Sequence, residues 1–184
     1  MRTTLGEPTK IAYFYQNISS MMRYLYIVRH AKAEDSVSFF KDFERELTAS
    51  GITDAARMGK FLKDQGLVPD LMISSSASRA FQTAQIFGEQ LQYDKEHIQT
   101  TRNLYDGGPR SYLKAVNSAP DDCIHLMLFG HNPDVSYFAE YLTNTDIESM
   151  SKGSVVKIEF EGLKWNEVAA QTGKYVSYHT PKQS

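Results

Sequence analysis

Apolar and polar positions along the chain change period repeatedly. Tyr24 to Val28 is a short apolar run, suited to a strand buried on both faces of a parallel sheet. Beyond a polar loop, Thr48 suits a helix N-cap. Ile52, Ala55, Gly59 and Leu62 then recur at helical spacing until Gly66, which fits the residue just past a helix end. Leu71-Met72-Ile73 predicts a second strand, and Ser76 a cap for a helix carrying Ala80, Ala84 and Phe87 on one side. Pro109 to about Asn117 predicts another helix, and Ile124 to Phe129 a third central strand. Asn132-Pro133 reads as N-cap and first residue of a helix through Leu142, since proline there loses no needed donor. Ser154 to Phe160 alternates, Glu161-Gly162 signals a turn, and Tyr175 to His179 is a further short strand. Strands separated by helices predict a three-layer α/β/α fold with a mostly parallel central sheet and an antiparallel edge.

Residues 1–20 lack this periodicity and are expected to be an N-terminal extension to a domain spanning 21–184. The apolar block Ile11 to Tyr15 is too short for a secretory leader, and no apolar stretch reaches the ~18 residues of a membrane span. A cytoplasmic protein is the expectation. The net charge of −2 offers no electrostatic footprint for nucleic acid or an anionic membrane. Cys123, the single cysteine, lies in an apolar run where a buried, inert thiol is expected. His97, His125 and His179 show no spacing for a shared metal, and neither a P-loop nor a dinucleotide fingerprint is present, so no cofactor is expected.

Chemistry gathers where predicted strands end. Arg29-His30 follows the first, Ser74 to Arg79 the second, and Gly130-His131-Asn132-Pro133 the third. Ligands of such sheets bind beyond the carboxyl ends of the strands. A basic pair after one strand is an ordinary surface feature. Glycine before His131 permits close backbone approach, and the helix start behind it offers free N–H groups to an anion. Arg79 in a first helical turn opposes the helix dipole unless an anion partners it. Two histidines and two arginines at three strand ends point jointly to phosphate.

Leu25 to Ala31, with Arg29-His30 after the strand, resembles the Arg-His-Gly signature of the histidine phosphatase superfamily. Arg79-Ala80-Phe81-Gln82-Thr83-Ala84 resembles its second motif, and Gly130-His131-Asn132-Pro133 its third. Arg45, Leu47, Thr48 and Gly51 resemble a segment of its short, SixA-type phosphohistidine phosphatases. Ala31 departs from the usual glycine, Ser76 from a common proline, and Ala33 from a serine of mutase-type relatives. The resemblance, running from about Met22 to Lys182, implies a phosphoglycerate mutase-like fold.

It also implies His30 as nucleophile, with Arg29, Arg79 and His131 binding the phosphate oxygens. The superfamily's general acid falls on the loop Asn103 to Gly108, where Asp106 is the candidate; its plainer reading is a turn aspartate before two glycines. A phosphohistidine releases imidazole and needs no dedicated acid, whereas an alkoxide does. The leading expectation is removal of phosphate from phosphohistidine in a protein partner. The alternatives are a small-molecule phosphomonoesterase and a non-catalytic module that binds phosphorylated partners.

Overall fold

The computed structural model describes residues 21–35 and 42–182. The expected extension, 1–20, lies outside the described residues. Six strands form one sheet: β1 (Met22–Arg29), β2 (Leu71–Ser75), β3 (Gln99–Thr101), β4 (His125–Gly130), β5 (Val155–Glu161) and β6 (Lys174–His179), in the order β3-β2-β4-β1-β5-β6. β1, β2, β3 and β4 run parallel, while β5 and β6 add the antiparallel edge. The helices are α1 (Ala49–Asp64), α2 (Ser78–Leu91), the single turn α3 (Asn103–Asp106), α4 (Pro109–Asn117) and α5 (Asp134–Thr143).

The period-two geometry of β1 divides its side chains between two cores. Leu25 and Ile27 join the apolar cluster that includes Leu104, Tyr112, Val116, Phe138 and Leu142, from α3, α4 and α5. Tyr26 and Val28 join the opposite cluster, with Met58, Leu62, Ala84 and Phe87 from α1 and α2. Burial on both faces explains why the run is continuously apolar. The three-layer architecture is as the periodicity implies.

Helix ends are set by local hydrogen bonds. Thr48 Oγ1 accepts from Gly51 N at 3.1 Å, and Gly66 follows α1 at φ 81°, as expected. Proline opens α4. Two starts differ from expectation. The residue capping α2 is Ala77, whose N–H donates to Ser75 Oγ at 3.3 Å, rather than Ser76. α5 begins at Asp134 after Pro133, and Asn132 does not cap it: its Oδ1 accepts from Ser136 Oγ at 3.2 Å rather than from a backbone N–H, and its Nδ2 donates to Ser149 Oγ and Met150 O. β3, an edge strand of three residues with little apolar content, has no counterpart in the periodicity.

Candidate active site

The carboxyl ends of β1, β2 and β4 lie side by side, with Arg29 paired to Gly130 and Ser74 to Phe129. His30 continues the ladder by donating its N–H to Gly130 O at 3.0 Å. Gly130 admits no side chain: a Cβ would fall 1.9 Å from Tyr112 Oη. That hydroxyl donates to Leu104 O at 2.8 Å and accepts from His131 N at 3.2 Å, so α4 fixes the backbone beneath the second histidine.

The two imidazoles stand 5.1 Å apart, centroid to centroid, and both are buried. His30 Nδ1 donates to Ala31 O at 2.7 Å, which leaves Nε2 as the unprotonated nitrogen; Arg79 Nε donates to it at 3.3 Å. Burial, with the charges of Arg79, Arg29 and Lys152 adding to it, outweighs the Ala31 bond and lowers the His30 pKa to about 3. His131 Nε2 and Ser75 Oγ are 2.8 Å apart, and burial, then His30 and Arg79, lower this histidine to about 3 as well. Neutral imidazoles among cations are the result. Arg29 donates through Nη1 to Met150 O, while Arg29 Nε and His131 Nδ1 are buried and bond to no group among the described residues. Buried polar nitrogens of that kind cost free energy unless a partner arrives.

Thr83 ties the first and second motifs together. Its hydroxyl donates to Arg79 O at 2.6 Å and accepts from Ala31 N at 3.1 Å. Gln82 accepts from Leu47 N at 2.8 Å, and Thr48 N donates to Lys32 O at 3.0 Å. Gly51 belongs to the same junction, since a Cβ there would meet Lys32 O at 2.0 Å.

The structure thus brings Arg29, His30, Arg79 and His131 together and leaves Asp106 apart. The Asp106 carboxylate accepts from Arg102 Nε at 3.1 Å on an exposed surface. No hydrogen bond or ion pair among the described residues joins it to either imidazole. The same loop contributes Tyr105 instead. Its ring meets His131 edge-on at 5.5 Å, and the Arg79 guanidinium lies 5.7 Å from its centre.

Sequence reasoning also missed Asp42 and Lys152. Asp42 Oδ2 accepts from Arg79 Nη2 at 3.0 Å and Tyr105 Oη at 2.9 Å, while Oδ1 accepts from Arg45 Nη1 at 2.7 Å. Burial raises the Asp42 pKa, but the bonds from Arg45 and Tyr105 and the charge of Arg79 outweigh it and bring it down to about 2. Its signal was its place three residues before Arg45. Lys152 carries no motif; the turn before β5 delivers it.

A family model described as histidine phosphatase superfamily (branch 1) matches residues 25–106. An uncharacterised chloroplast protein of Arabidopsis thaliana is 26% identical over 84% of this chain and 74% of its own length. Among solved structures, a protein of Nakamurella multipartitia assigned as a SixA phosphohistidine phosphatase superimposes with a TM-score of 0.76 at 21% identity, covering 89% of this chain and 98% of its own. The protein histidine phosphatase SixA in complex with tungstate gives 0.74 at 19% identity, covering 86% and 97%. These structural likenesses are of fold, and the fold is phosphoglycerate mutase-like.

Proposed function

The chain belongs to the histidine phosphatase superfamily, and from that premise we propose that His30 Nε2 takes the phosphoryl group from phosphohistidine in a protein partner. The observation that carries this reading is the state of His30. Its Nδ1–H is committed to Ala31 O, and its pKa is pushed to about 3. The imidazole therefore stays neutral, in the tautomer that presents a lone pair on Nε2.

Attack forms the His30 Nε2–P bond as the substrate's P–N bond breaks, and water then attacks phosphorus to release phosphate and restore His30. Arg29, Arg79 and His131 bind the non-bridging oxygens, where charge concentrates as the group transfers. Arg79 keeps a free N–H on each Nη beyond those given to Asp42. The N–P substrate is supported by the available carboxylates. Asp106 pairs with Arg102 outside the cluster, and Asp42 is held ionised, so neither supplies the proton an alkoxide would need. The likeness to SixA proteins supports the same class. The one cysteine is buried, with its pKa raised by burial to about 12, which fits a reducing compartment such as the cytoplasm.

The test is turnover of a phosphohistidine protein and of p-nitrophenyl phosphate by wild type and His30→Ala. Wild type is expected to favour the former, and His30→Ala to lose at least about 10³-fold on both. Retention of a covalent ³²P label by His30→Ala sinks the assignment. A wild type that cleaves only the ester moves the protein to the small-molecule class.

A further inference from the structure

Asp42 is the carboxylate in direct contact with the phosphate-binding arginine, and no step above uses it. Its oxygens accept from Arg45 on one side and from Arg79 and Tyr105 on the other. A carboxylate offers about four acceptor positions, so about one remains. The Asp42 side chain is 28% exposed while that of Arg79 is 7% exposed, so the carboxylate is the more open member of the pair. We infer that Asp42 is a specificity-determining residue that selects substrates whose leaving group carries positive charge beside the phosphoryl group, a protonated imidazole above all. The inference rests on the function proposed above and names the group that enforces it.

The physical case is one of sign. Cleavage of a phosphohistidine proceeds from the ring protonated on its second nitrogen. As the P–N bond breaks, its electron pair returns to the ring, which departs as neutral imidazole with that proton in place. An anion at the site's rim favours the protonated, reactive form through a charge-assisted N–H···O bond and takes no proton itself. A phosphate ester departs the opposite way. Its P–O pair leaves on oxygen, and negative charge grows against Asp42. One fixed carboxylate therefore helps the first reaction and hinders the second. Arg45 and Tyr105 hold it in place, and with Arg79 they keep it charged against the cost of burial.

Steady-state kinetics of Asp42→Asn on a phosphohistidine peptide and on p-nitrophenyl phosphate test this, with inhibition by inorganic phosphate reporting whether the site is assembled. The expected result is a roughly ten- to hundredfold fall in kcat/KM for the peptide, with the ester unchanged or faster and phosphate inhibition within about threefold of wild type. Asp42→Glu, which keeps the charge, is expected to keep most of the preference for the peptide. An equal fall on both substrates, or loss of phosphate inhibition, overturns the inference and reduces Asp42 to a brace for Arg79. An unchanged ratio overturns it as well. Failure of the wild type to cleave the peptide overturns the function reading and this one together, whereas peptide cleavage indifferent to Asp42 removes this one alone.

Discussion

At the amino ends of β1 and β4 stand Arg23 and His125; at their carboxyl ends stand Arg29, His30 and His131. Residue types match, and burial lowers the pKa of His125, His30 and His131 alike. Both arginines even leave a buried Nε without a partner among the described residues, so that feature does not separate them. Their company does. Arg23 gives Nη1 to Leu163 O at 2.6 Å and Nη2 to Asp121 O at 2.7 Å, closing the lower end of the sheet. The His125 ring stacks on Tyr24 at 5.1 Å, and its backbone N–H donates to Asp70 Oδ2 at 2.7 Å. At the upper end, cations surround two neutral imidazoles whose nitrogens are aimed by Ala31 O and Ser75 Oγ. A buried basic residue becomes chemically useful when its neighbours hold a lone pair or a donor ready for an incoming anion.

Exchanging residues between the ends gives the largest contrast. Arg29→Ala is expected to lower kcat by roughly 10²–10³. Arg23→Ala should leave the activity of folded molecules unchanged and lower stability by about 2–3 kcal/mol, since two part-buried hydrogen bonds from a charged donor are lost. Denaturant unfolding with kinetics on the surviving fraction reads both; a large kcat loss for Arg23→Ala breaks the contrast.

Acid provides the second test. The folded pKa values of His30 and His131 lie near about 3, below the unfolded value of ~6.5. The unfolded chain therefore takes protons first as pH falls. The stability these groups contribute is full above ~6.5 and is lost between there and about 3, at about 1.4 kcal/mol per pH unit for each histidine. Over the same window, kcat/KM should show no free-enzyme loss from protonation of His30. An acid limb near pH ~6.5, on a substrate that does not itself titrate there, would show the His30 imidazole to be ordinary.

Asp106→Asn is expected to have the smallest effect. Turnover of phosphohistidine should stay within about twofold and stability within about 1 kcal/mol, because the pair with Arg102 is exposed. A hundredfold loss on esters alone would restore Asp106 as an acid.

This pattern also explains what the chain disclosed in advance. β1 and β4 were legible because burial on both faces forces unbroken apolar runs, and α4 because proline marks its start. Arg29, His30, Arg79 and His131 were legible because each stands at a strand or helix boundary. Asp42, Tyr105 and Lys152 were not, since Asp42 and Lys152 lie in turns and Tyr105 in the single-turn α3, all too short for a period to fix which side chain faces the site. Asp106 and Tyr105 are adjacent, and only the turn of α3 decides which side chain meets the histidine.

The hydroxyl of Thr83 has a consequence for how this protein can evolve. One oxygen spans the loop after His30 and the helix that carries Arg79, and with the Arg79–His30 bond it gears the two segments to each other. A lineage that exchanged this threonine for valine would keep its shape and all of Arg29, His30, Arg79 and His131, yet lose both bonds, and the two segments could shift against each other. A search keyed to the two histidines and two arginines alone would not notice the change.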